Sequence, residues 1–267
     1  MKGDASSPQG GVGLANGNRR LVLGALVVVA VVAAVLVVRI APPRLSDTPG
    51  SNARDFVSGA YPKLVVEVDW VDEGGTSYKP PPAVLAFLEQ RIGERATKPG
   101  GVSVTFGNAI ATTKSSFSAD DLRALEGTHR SARTGGDTAA IWIVFANRYS
   151  EGGAGGSTVI GVAYAGSSAA VFVAPIQDAA TFLVPAETIE RIAAVHEVGH
   201  LFGLVNTGTP MVAPHEDAAH PGHSSNPDSV MYWQAEGTDL VSLIAGGRNP
   251  DNFDTADSAD LRAIGGK

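Results

Sequence analysis

The sequence predicts an α/β (α+β) domain, a mixed twisted sheet with helices packed on it, preceded by one transmembrane helix. Three observations lead there. Strand-like and helix-like segments alternate over residues 64–174, the order that folds as a sheet covered by helices. A helical pattern over residues 186–203 then sets two histidines four positions apart. Ahead of both, residues 21–38 form an uninterrupted apolar run, close to the ~20 residues that span a bilayer.

Residues 1–18, rich in Gly, Ser and Asn, read as a disordered tail. Residues 19–41 read as the anchor: Ile40 and Ala41 extend the apolar run, and Arg39 can snorkel to the interface. Lys2, Arg19 and Arg20 precede the run and Arg39 and Arg44 follow it. This slight bias favours a short N-terminus inside and a large domain outside. The expected location is the cell membrane, single-pass, with the domain extracytoplasmic. A cleavable signal peptide is the rival, but its apolar region is usually ~7–15 residues, and here Pro42 directly follows Ala41. Residues 42–60, with Pro42, Pro43, Pro49 and Gly50, read as a linker, and the folded domain spans 61–267.

Within that domain, residues 64–71 read as a strand, with Val66, Val68 and Trp70 on one face. Residues 83–96 have helical spacing through Val84, Leu85, Leu88 and Ile92. Residues 102–106 form a second strand. Ser118 is placed to cap a helix through Leu125, with Asp121 at its third position. The apolar run 139–146 suits a fully buried strand. The glycine-dense stretch 151–157 is not a phosphate loop, because no Lys-Ser or Lys-Thr follows it. Residues 159–164 and 170–174 read as two more strands. Towards the C-terminus, a short helix ends at Gly246-Gly247, and residues 257–264 form a last helix capped by Asp257 or Ser258. Asp251, Asp254, Asp257 and Asp260 recur every three residues; a capping and solvated helix face accounts for them better than calcium.

A net charge of −7 and the lack of a basic patch argue against a nucleic-acid partner. The chain has no cysteine, so disulfides and thiolate sites are excluded, while the compartment stays open.

The chemistry lies in His196-Glu197-Val198-Gly199-His200. Positions i and i+4 of a helix share one face, so both imidazoles can reach one metal ion, and Glu197 on the neighbouring edge can hold a water. Downstream stand Gly203, which lets the helix turn sharply, and Met231 within Ser229-Val230-Met231-Tyr232. With these the chain resembles the metzincin clan of zinc metallopeptidases, whose pattern is H-E-x-x-H-x-x-G-x-x-H followed by a methionine turn. The place of the third histidine holds Asn206. In one subgroup, the archaemetzincins, a histidine, a cysteine, four residues, a second cysteine, one residue and the methionine follow. Residues 223–231 have that spacing, with Ser224 and Ser229 at the cysteine places.

The resemblance therefore implies an insertion over residues 206–222 and a metal set of His196, His200 and His223. His215, beside Glu216 and Asp217, is the runner-up; His215 and His220 otherwise read as solvated loop residues. The fold implied is a metzincin-like zincin: mixed sheet, active-site helix, Met-turn and small C-terminal subdomain. The function implied is a zinc-dependent endopeptidase holding one catalytic Zn2+, with Glu197 as general base and a peptide or protein substrate. One of the strands between Val159 and Ala174 would hold the substrate backbone. Tyr232 is expected to pack beneath the site, and Trp233 takes the place where some metzincins carry a tyrosine. Two alternatives remain: a peptidase with Glu216 or Glu236 as third ligand, and a non-catalytic, zinc-stabilised extracytoplasmic binding domain. Partners beyond substrate and membrane, and the oligomeric state, are not legible.

Overall fold

The structure, a computed structural model, describes residues 47–151 and 158–267. The tail (1–18), the anchor (19–41) and the start of the linker lie outside the described residues. Among those described, no helix is long and apolar enough to cross a membrane. The linker reading does not extend through residue 60. Helix α1, Ala53–Val57, buries Phe56 and Val57 completely, so this short stretch belongs to the core.

The sheet is built from β1 (Lys63–Glu73), β3 (Val102–Thr112), β4 (Thr138–Ala146), β5 (Gly161–Ala165) and β6 (Ser168–Phe172), with β2 (Thr76–Ser77) folded back on the end of β1. β1 is flanked by β3 and β4, both parallel to it, and β6 runs parallel to β4. β5 turns back antiparallel on β6 and ends the sheet. This mixed sheet is the one expected. β4 occupies its middle, and every residue from Ala139 to Ala146 is fully buried. That explains why its sequence is an apolar run without alternation.

β3 is twice as long as its pattern suggests. Gly107 interrupts the apolar rhythm, but the strand passes through it with a register shift opposite Val68 and Trp70. There the buried Asp69 accepts hydrogen bonds from the Asn108 amide (2.6 Å) and from Trp142 Nε1 (2.9 Å). A side chain at 107 would collide with the Asp69 carboxylate.

Helices α2 (Pro82–Arg95) and α5 (Ala186–Leu201) pack against each other, and α5 also lies against β5 and β6. Helix α3 (Ala119–His129) starts as expected, with Ser118 and Asp121 forming a reciprocal cap. Two sequence expectations need correction. Residues 173–179 form helix α4 and do not continue the strand: Pro175 in its first turn lacks only an amide hydrogen that would be unpaired anyway. The last helix, α7 (Thr255–Ala263), is capped by Asp254. Its carboxylate accepts from the Ala256 and Asp257 amides, and Asp257 returns a bond to the Asp254 amide. Asp257 is therefore the third helical residue, not the cap. Helix α6, Leu240–Ala245, completes the small C-terminal part.

Candidate metal centre

Helix α5 begins behind Pro185 and buries Ile189, Ile192, Ala193, Val195 and Val198 against the sheet and α2. That apolar stripe fixes the rotation of the helix and points its last turns at the end of the sheet near β5. His196 is fully buried, and its Nδ1–H donates to the Val230 carbonyl (2.7 Å). The bond leaves Nε2 without a proton. His196 Nε2 lies 3.0 Å from His200 Nε2. The His223 ring completes the group, 5.3 Å from that of His196 and 5.1 Å from that of His200, centroid to centroid. One ligand atom from each of the three lies within 4.8 Å of the others. Burial, reinforced by His223, lowers the pKa of His196 to about 4, and burial takes His200 well below the usual imidazole range. Both rings are thus neutral at physiological pH, the form that binds metals.

The route from His200 to His223 is explained by the backbone. Gly203 takes φ +71 at the helix end, and Val205 (φ 52) and Asn206 (φ 65) continue in the left-handed region. Asn206, at the usual position of the third histidine, is left exposed. The following excursion is a structured loop. The Asp217 amide donates to the His223 carbonyl (2.8 Å), and the Gly222 amide donates to Glu216 Oε1 (2.8 Å). His220 pairs with Asp217 (2.7 Å) and stacks on Trp233 at 4.2 Å, so it is not the solvated residue expected. His215 stays apart from the three histidines; its Nε2 bonds Asp260 Oδ2 at 2.9 Å.

Beyond His223, the Ser224 amide bonds the Met231 carbonyl (2.7 Å), and Ser229 Oγ accepts from the Met231 amide (2.9 Å). The turn buries Met231 completely. Its sulfur occupies the space a side chain at Gly199 would need, between the two helical histidines. Tyr232 is half-buried, with its ring 5.9 Å from that of Trp233.

Glu197 is fully buried, and neither carboxylate oxygen has a hydrogen-bond partner. It lies under Gly161 of β5, where a Cβ would strike Oε1. Burial pushes its pKa well above the usual carboxylate range and the charge of Glu236 adds to this, while the nearby Ala163 amide opposes it. Sequence reasoning weighed Glu236 only as a rival third ligand. Its carboxylate approaches His223 Nε2 at 3.4 Å, yet neither it nor Glu216 joins the group of mutually close ligand atoms. The pairings of Glu236 with His223, Gly161 with Glu197, and Val230 with His196 all join distant segments and leave no local signal.

The residues fit a metal ion on the structure's own terms. His196 Nε2 and His200 Nε2 lie 3.0 Å apart, and the buried His223 Nδ1 has no hydrogen-bond partner, while Glu236 stands 3.4 Å from its Nε2. Three imidazoles converging in this way can turn their nitrogens on one cation, and three imidazoles suit zinc.

A helix bearing two of these histidines, a third brought in by the loop beyond it, a buried carboxylate beside them and a methionine turn beneath define a zinc metallopeptidase. Residues 91–242, more than half of the chain, match the family described as metallo-peptidase family M12, and the chain belongs to that family. Among solved structures, the chain is similar to archaemetzincin from Methanopyrus kandleri, at 19% identity over 77% of this chain and 97% of that one, with a TM-score of 0.46. It is also similar to a zinc-dependent peptidase from Methanocorpusculum labreanum, at 16% identity over 73% and 99%, with a TM-score of 0.46. No curated protein matches.

Proposed function

We propose that His196, His200 and His223 hold one catalytic zinc ion and that Glu197 is the general base of an endopeptidase. The observation that carries this is the convergence of three imidazoles beside a buried, unpartnered carboxylate at the edge strand. When bound, zinc supplies an acidified water and polarises the scissile carbonyl. His196 and His200 stay neutral, with the Val230 carbonyl holding His196 in the ligating tautomer. Glu197 accepts the proton of the attacking water and passes it to the leaving amine. Its buried site excludes bulk water, so the proton stays with the reacting groups.

The substrate runs as an extended chain along β5. The Ile160 carbonyl accepts from the Phe172 amide (2.9 Å), so by the alternation of an antiparallel pair Val162 also faces β6. The amides and carbonyls of Gly161 and Ala163 then face the free edge, where a peptide can add as a further strand.

Replacing Glu197 with Ala tests the reading. Hydrolysis of a mixed peptide library should fall by at least a thousandfold, while bound zinc per chain is unchanged. Wild-type turnover in Glu197→Ala, or full zinc retention at the centre in His223→Ala, would contradict the assignment.

A further inference from the structure

A second group of metal-ligand side chains lies where the loop 206–222 meets the start of α7. One atom each from His215, Asp254 and Asp257 lies within 4.8 Å of the others. The His215 side chain is only 9% exposed and that of Asp257 is 0% exposed. Asp260 Oδ2 accepts from His215 Nε2 at 2.9 Å, which places the ring proton there and leaves Nδ1 as a bare lone pair. That nitrogen has no partner, and neither has Asp257 Oδ1, although the two atoms face each other 3.8 Å apart. The distance is too long for a hydrogen bond. It suits two ligands each ~2.1 Å from a shared ion.

The remaining bonds hold these atoms in place. Asp257 Oδ2 accepts from Ser229 Oγ (2.6 Å) and from the Asp254 amide (3.0 Å). Asp254 Oδ1 accepts from the Ala256 and Asp257 amides, and Oδ2 accepts from Asn226 Nδ2 (2.8 Å). Asp260 Oδ1 fixes the Val212 amide (2.6 Å). A histidine that donates to a carboxylate through one nitrogen and presents the other bare is the arrangement that orients metal ligands. Three carboxylates surround one imidazole here, and two buried acceptors are unsatisfied at the centre of the group.

We propose that His215, Asp254 and Asp257 bind a second divalent ion, which clamps the loop carrying His223 to α7 and the methionine turn. An imidazole with two carboxylates points to zinc or a similar transition metal; calcium would call for oxygen ligands alone. The site is distinct from the three-histidine centre and does not depend on the role proposed for Glu197.

The test counts zinc in the full-length chain by elemental analysis after zinc loading and dialysis. Wild type should hold two ions. A His200→Ala/His223→Ala variant, which leaves the second site untouched, should hold one, and its zinc X-ray absorption spectrum should show one imidazole among oxygen ligands. Adding Asp257→Asn, a near-isosteric change, should reduce the count to none. A zinc-free His200→Ala/His223→Ala protein would overturn the proposal, as would an ion that survives Asp257→Asn and His215→Ala.

Discussion

At the residue scale, Gly199 has a job that helix formation does not explain. Glycine inside a helix costs ~1 kcal/mol relative to alanine. Its reason here is Met231, whose sulfur fills the space a Cβ would need, with Phe253 3.1 Å from the same point. Gly199→Ala should therefore push the methionine turn off the helix, at about 1–3 kcal/mol of strain. The expected result is a lower melting temperature together with weaker zinc binding; a rise in melting temperature would show that Met231 moves aside freely. Glu190, on the same helix, is 4% exposed with Oε2 unpartnered, and burial, with Glu187 second, pushes its pKa up to about 7. The fold therefore favours the protonated carboxyl. Stability is lost as pH rises from the unfolded value of 4.5 through 7, by about 3 kcal/mol once the group is ionised. Glu190→Gln should melt close to wild type near pH 5 and several degrees higher at pH 8. Parallel melting curves for the two proteins across that range would remove the effect.

At the scale of elements, β5 carries a sharper expectation than any single side chain. By the β5–β6 register its amides at Gly161 and Ala163 face away from β6, where the proposed substrate strand would add, and that of Ala163 lies near Glu197. Proline is tolerated on an edge strand only where its missing N–H faces away from the ladder. Ala163→Pro should thus keep the melting temperature close to wild type while kcat/KM drops about tenfold to a hundredfold, the worth of a lost hydrogen bond to backbone or carboxylate. Val162→Pro should instead break the β5–β6 ladder and lower stability. Equal effects of the two substitutions would mean that substrate does not lie along this edge. The elements themselves were largely legible: β1, α2, β4 and α5 each carry a clean period or a long apolar run. α4 was hidden because the apolar run of β6 continues into it without a break, and only Pro175 marked the change. α1 was hidden because five residues next to a proline-rich stretch carry no periodic signal. His196 and His200 were legible from spacing, and His223 only through the resemblance of residues 223–231 to the archaemetzincin pattern. Glu236 was not placed beside His223, because that contact depends on how the turn Trp233–Glu236 folds back over the site.

At the scale of the whole molecule, the candidate metal centre joins two parts of the chain: core helix α5, which bears His196 and His200, and the loop that leads to His223. The buried sheet, with β4 at its middle, and the helices α2 and α5 supply a continuous apolar core. Between Thr207 and Gly222 the chain has no helix or sheet strand of its own. It is held by backbone bonds to Gly203, His223 and Ser225, by Asp260 and by the stacking of His220 on Trp233. Metal ions would therefore act mainly on that segment. A ligand present at 100 times its dissociation constant adds about 2.7 kcal/mol to the bound state. Removing zinc should lower the melting temperature and abolish peptidase activity but leave the sheet folded. Hydrogen exchange before and after chelation can resolve this by segment. Amides of residues 207–222 should lose protection in the metal-free protein, while those of β4 keep it, and zinc should restore both protection and activity. Global loss of protection on chelation would instead mean that the core cannot form without the metal, as in folds whose stability comes from the ion itself.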